Sequence, residues 1–124
     1  MKLEYAGAAA VFVAAGAVGA VGVYLTWGLV AGVLHPSAFN EALQAAKSMP
    51  GWTIVASDPE AGRIEASQQS RWFRFTDDIV IRIAGDGAGT RIDMRSTSRQ
   101  GHSDYGINAA RIRAFMGALR RRIG

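Results

Sequence analysis

The feature that most constrains this chain is a run of 30 positions, Tyr5 to Leu34, without a charged side chain. A helix needs about 20 apolar residues to cross the hydrocarbon core, so the run is long enough to span it with tilt. A cleaved signal peptide carries a shorter apolar region, roughly 7–15 residues, behind a basic start. Here Lys2 is offset by Glu4 and the run is too long. It therefore predicts a transmembrane anchor over residues 1–35, in contact with the membrane through residues 5–34. Tyr24 and Trp27 lie toward its far end, where amphipathic rings favour the interface. Gly28 and Gly32 form a G-x-x-x-G spacing, which lets two helices approach closely and makes a homodimer through them an expectation. In so glycine-rich a segment the spacing also arises by chance. Lys2 and Lys47 nearly balance across the flanks, so charge says little about orientation.

The remaining residues, 36–124, suffice for one small domain with a modest core. The absence of cysteine excludes a disulfide, a thiolate metal site and a cysteine nucleophile. A formal charge of +4 and a pI near 10.1 are compatible with anionic lipid, nucleic acid or an acidic partner. At so small a charge a solvated surface is the simpler explanation.

Hydrophobic periodicity orders this domain. His35-Pro36-Ser37 opens a helix with Ser37 as N-cap; Phe39, Ala42, Leu43, Ala46 and Met49 form its apolar stripe, and Pro50-Gly51 stops it. Four runs then alternate with period two, around Trp52–Ser57, Arg63–Ser67, Ile79–Ile83 and Arg91–Arg95. The turn Asp58-Pro59-Glu60-Ala61-Gly62 closes the first hairpin. One charged side per strand means an antiparallel sheet with one buried and one wet face, and on the wet face Asp93 is placed to neutralise Arg82. The second run loses phase before Phe73 and Phe75, which predicts a bulge or break near Gln68–Ser70. Trp72, Phe73 and Phe75 read as packing residues. Asp77 and Asp78 are adjacent, so in a strand they face opposite ways and cannot share a proton or a metal; they read as residues at a turn entrance. Gly85-Asp86-Gly87-Ala88-Gly89 joins two strands rather than a strand and a helix, which makes it a hairpin loop and not a phosphate loop. The last helix carries the stripe Tyr105, Ala109, Ile112, Phe115, Met116, Leu119 and Ile123, with Ser103 or Asp104 capping its start. The expectation is an α+β chain: an N-terminal transmembrane helix, then a two-layer α-β-β-β-β-α domain with a four-stranded antiparallel sheet.

Chemistry concentrates between Asp93 and Arg113. Arg95 lies on the polar side of its strand, Arg99 in the turn and Arg111 two turns into the helix, joined by Ser98, Ser103, Asp104 and Asn108. These seven residues are the candidate ligand-binding site. In one version Asp104 pairs with Arg99 or Arg111 and pins the turn, since buried polar groups usually satisfy one another. In the other the arginines await a phosphate or carboxylate near the helix N–H groups. His102, Ser103 and Asp104 are consecutive, so their side chains diverge and form no catalytic relay. No metal-ligand spacing and no cofactor pattern is present. An arginine-and-serine cluster without a clear base points to a non-enzymatic module that binds an anionic small ligand or a protein partner. The alternative is an enzyme acting on an anionic substrate through the same cluster. Nucleic-acid binding has only the pI in its favour.

One further observation bears on family. Trp52, the strand Gly62-Arg63-Ile64-Glu65-Ala66, Trp72-Phe73 with Phe75, Asp77 and Asp78, and above all the spaced series Asp93, Arg95, Ser96, Ser98, Arg99, Gly101, Ser103, Asp104, Gly106, Asn108, Arg111 and Ile112 form one pattern. From about Phe39 to the C-terminus this pattern resembles the domain of unknown function 1499 family, a bacterial and plant group. The resemblance implies no established activity. Its members often carry N-terminal membrane segments or look exported, which implies a single-pass protein of the inner membrane with its domain in the periplasm. Arg74 stands where the family tends to have glycine, and the anchor replaces the proline-rich region that usually precedes the matched part.

Overall fold

The described residues of the apolar N-terminal run are strands, not the helix its composition predicts. They form β1 (Ala10–Ala15) and β2 (Val21–Leu29), paired antiparallel. The computed structural model describes residues 10–15, 21–29, 35–69, 75–86, 89–99 and 106–123. Among these described residues no helix is long and apolar enough to cross a membrane. The physical reason lies in an alternation that the lack of charge conceals. Val23, Leu25, Trp27 and Leu29 fall at register positions opposite Ser96, Met94, Ile92 and Thr90, while Gly22, Tyr24, Thr26 and Gly28 oppose Thr97, Arg95, Asp93 and Arg91. The first set of partners is the buried side of its strand. Valine, tyrosine, threonine and tryptophan suit a pleated, half-buried surface, and pairing here closes what would otherwise be an open sheet edge. Gly28 therefore sits in a strand, not on a helical G-x-x-x-G face, and Gly32 lies outside the described residues.

The α-β-β-β-β-α order from His35 onward is as the periodicity predicts. Helix α1 (His35–Ser48) is followed by β3 (Trp52–Asp58), β4 (Arg63–Gln69), β5 (Thr76–Asp86), β6 (Gly89–Ser98) and α2 (Ile107–Ile123). Strands β3 to β6 form the antiparallel four-stranded sheet, and β2 and β1 continue it beyond β6 in the order β1-β2-β6-β5-β4-β3. Helix α1 starts at His35, three residues before the Ala38 start that a Ser37 cap implies. Pro36 fits that first turn, where its missing N–H has no helical partner to lose.

Both helices cover one face of the sheet. Ala38, Phe39, Ala42, Ala45 and Ala46 of α1 and Ile112, Phe115, Met116, Leu119 and Ile123 of α2 are buried. They meet Ile64 and Ala66 of β4, Ile79, Ile81 and Ile83 of β5, and Ile92 and Met94 of β6. Asp58 Oδ1 accepts from the N–H of Glu60 and of Ala61, both at 3.1 Å, which holds the β3–β4 turn before Gly62. At Gly62 φ is +67°, a conformation glycine adopts without steric cost. The β5–β6 hairpin closes with Asp86 opposite Gly89, which places the glycine-rich stretch between two strands.

Two local expectations need correction. The break expected near Gln68–Ser70 is the end of β4 at Gln69, and a register irregularity that the sequence did not predict falls in β3 between Ile54 and Ala56. Gln69 pairs directly with Thr76, so Phe75 precedes a new strand instead of continuing β4 out of phase. Trp72 and Phe73 lie outside the described residues. Asp77 and Asp78 are inside β5, not at a turn entrance. Arg82 does oppose Asp93 across β5 and β6, but the ion pair that Asp93 makes is with Arg91 on its own strand, at 3.1 Å.

Candidate functional site

At one end of the sheet the helix-covered face turns from apolar to polar. Trp52, Gln68, Asp77 and Ser98 stand side by side across β3, β4, β5 and β6. Each continues the inward parity of its strand: Gln68 follows Ile64 and Ala66, Asp77 precedes Ile79 and Ile81, and Ser96 and Ser98 follow Ile92 and Met94. Side chains two apart share a face, so this polar row belongs to the same surface as the core.

Arg111 of α2 comes down on that row. Its Nη2 donates to Asp77 Oδ2 at 2.7 Å and its Nε to Gln68 Oε1 at 2.7 Å. Its Nη1 donates to Ser96 Oγ and to Asn108 Oδ1, both at 2.8 Å. These bonds use most of what a guanidinium can donate. The Asp77–Arg111 pair is well shielded, with side-chain exposures of 14% and 7%. Ser96 Oγ in turn donates to Asn108 Oδ1 at 2.6 Å, and Asn108 Nδ2 donates to Ser98 Oγ at 3.0 Å. Trp52 Nε1 donates to Gln68 Oε1 at 3.1 Å, and the Trp52 ring stacks on Phe115 with centroids 5.7 Å apart. The network thus ties β3, β4, β5 and β6 to the start of α2. A buried ion pair holds its place when further hydrogen bonds satisfy both partners, and here they do so for the cation.

The seven candidate residues do not all converge. Ser98, Asn108 and Arg111 meet in this network. Arg95 does not join them: it is exposed and opposite Val80 in register, on the outer face of the sheet, because it alternates with the inward Met94 and Ser96. Arg99 is also exposed and holds Asp78 through Nε at 2.8 Å and Nη2 at 2.7 Å. That hydrogen bond, and then the charge of Asp78, hold the Arg99 proton more firmly than in an ordinary guanidinium. Ser103 and Asp104 lie outside the described residues. Among the described residues the acidic partners of Arg111 and Arg99 are Asp77 and Asp78, from a strand more than twenty residues upstream.

Asp77, Gln68, Ser96 and Trp52 are missing from the sequence-derived site. Their signal was available: polar residues at inward parity at a strand end demand a buried partner, and an arginine on the inward side of a helix is one. Chemically, the assembly holds charge in place. Asp77 and Asp78 are each engaged by an arginine, and among the described residues no group of three histidine, cysteine, aspartate or glutamate side chains is arranged to hold a metal.

Residues 29–119 match a family model described as "Protein of unknown function (DUF1499)". No curated protein matches the chain. Among solved structures it is similar to CalU16 from Micromonospora echinospora, with a TM-score of 0.60 and 11% identity over 97% of this chain and 87% of that one. It also matches an uncharacterized protein from Rhizobium leguminosarum, with a TM-score of 0.43 and 11% identity over 99% of this chain and 68% of that one. The likeness to CalU16 is one of fold alone.

Proposed function

We propose, from the premise that this chain belongs to the DUF1499 family of proteins of unknown function, that it is a non-catalytic binding domain taking up an anionic ligand or partner at the exposed end of its sheet. The observation that carries this reading is the division of the arginine cluster. Arg111 is buried and consumed by internal acceptors, whereas Arg99 is exposed and grips a carboxylate in the two-point geometry that suits phosphates and carboxylates. Exposed ion pairs contribute little to stability, so exchanging Asp78 for an external oxyanion costs little. Arg95 lies on the same outer face. An enzyme acting on an anionic substrate here would need a base within reach of the substrate, and both strand carboxylates are held by arginines.

Thermal melts of the full chain with and without phosphate or sulfate test the proposal. Added anion is expected to raise the melting temperature of the wild type. Arg99→Ala is expected to melt close to the wild type without anion and to lose the anion effect. A wild type that does not respond to any anion would overturn the binding reading.

A second reading places the chain at the inner membrane, with the domain in the periplasm. It rests on the uncharged run from Tyr5 to Leu34, whose length suits a spanning helix. The same residues cannot be sheet strands and a spanning helix at once. Alkaline carbonate extraction of membranes from cells producing the full chain separates the two. Retention in the pellet is the result expected of an inserted helix, and complete release would sink the membrane reading.

A further inference from the structure

We infer that the helix layer docks on an anionic lipid surface. Charge is distributed unevenly between the two layers. Helix α2 contains five arginines and no carboxylate, and α1 contains Lys47 and Glu41. The helix layer therefore holds six cations against one carboxylate, a formal +5, and the whole chain is only +4, so everything else sums to −1. On the sheet's outer face Arg63, Arg91 and Arg99 pair with Glu65, Asp93 and Asp78, and Arg82 and Arg95 are the further cations there. By formal count the net positive charge of the molecule is that of its helix layer.

The cations are also arranged on one side. Arg111 is buried against Asp77, and Arg122 pairs with Glu41 of α1 at 3.0 Å. Arg113, Arg120 and Arg121 are exposed. At about 100° per residue Arg113 and Arg120 superpose on one line, roughly 10 Å apart along the axis, with Gly117 and Arg121 beside them. A Cβ placed on Gly117 would lie 3.5 Å from Arg121 Nη1, so the Arg121 guanidinium is laid back along the helix surface. Ala110 and Ala114 share this exposed arc, as does Ile107, which is 53% exposed. Small residues between arginines, with an isoleucine at one end, make a shallow basic surface on a layer of two packed helices. That shape fits an extended plane of headgroups, where long arginine stems can lie along the interface with their charge at phosphate level. A nucleic-acid duplex is the poorer fit, since no element of α2 is left to project into a groove and no recognition motif is present. The uncharged run that ends immediately before α1 adds a second apolar feature on the same chain. The inference is independent of the Arg99 site.

The test is co-sedimentation of the full chain with vesicles of phosphatidylglycerol and phosphatidylcholine, compared with phosphatidylcholine alone. Each arginine near an anionic surface strengthens partitioning about fivefold, so the variant Arg113→Gln/Arg120→Gln/Arg121→Gln is expected to bind anionic vesicles on the order of a hundredfold more weakly. High salt is expected to erase the wild-type preference in the same way. Arg82→Gln, an exposed change on the sheet's outer face, is expected to leave it unchanged. Equal binding of the wild type to both vesicle types would overturn the inference. So would an equal loss in Arg82→Gln, or tighter binding to duplex DNA than to anionic vesicles.

Discussion

Ile81→Asp is expected to leave the domain unfolded at room temperature. Ile81 is fully buried at the centre of the sheet, between Ile64 of β4 and Met94 of β6. Its pair partners Ile64 and Met94 and its same-face neighbours Ile79 and Ile83 along β5 are all apolar, so a carboxylate there meets no cation. It either carries an unpaired charge or takes up a proton, and both cost several kcal/mol. Substitutions of this kind reach beyond about 4 kcal/mol, a large share of the 5–15 kcal/mol that hold a typical domain together. Arg82→Asp, one position along and exposed, is the matched control and is expected to remain folded. Far-ultraviolet circular dichroism during a thermal melt reads both. A cooperative transition of Ile81→Asp within a few degrees of the wild type would show that the inward set of β5 is wrong.

Breaking the Arg111 network is expected to cost about 3–5 kcal/mol in Arg111→Met, because it strands the buried carboxylate of Asp77. Ser96, Asn108 and Gln68 lose the same donor. Arg111→Lys keeps the charge, but one ammonium cannot reach acceptors spread around a planar fork, and a loss of about 1–3 kcal/mol follows. The double variant Arg111→Met/Asp77→Leu is expected to recover much of the single variant's loss. What is expensive is the unpaired charge, and an apolar pair of similar volume can replace an ion pair at little cost. Urea unfolding of the three variants measures this. If Arg111→Met were as stable as the wild type, Arg111 would not be a structural tie and the whole cluster would be open to a ligand.

These two residues also mark where sequence and tertiary structure each decided the outcome. Ile79, Ile81 and Ile83, alternating with polar neighbours, determined their strand and its buried face without outside information, because a period of two is a property of the backbone. The same holds for Ala42, Ala46, Ile112, Phe115 and Leu119, whose spacing of three and four is a helix's own, and for the Gly-rich hairpin, which joins two strands and so rules out a phosphate loop. Family membership was also legible, since it rests on residue identity at fixed spacing.

Pairing in space was not legible. Arg111 was placed near the sheet end from sequence, yet its partner Asp77 lies 34 positions away and nothing local links the two. Asp104, near in sequence to both arginines, is the partner that proximity along the chain suggests. Arg95 was grouped with Arg111 by proximity along the chain, whereas strand parity sends it to the other face. The N-terminal run is the sharpest case. Lack of charge over Tyr5–Leu34 is compatible with lipid on all sides or with a strand beside β6, and the composition is the same for both. What distinguishes them is whether an open edge of β6 stands within reach to take Val21–Leu29 into register, and that edge exists only once the sheet has formed.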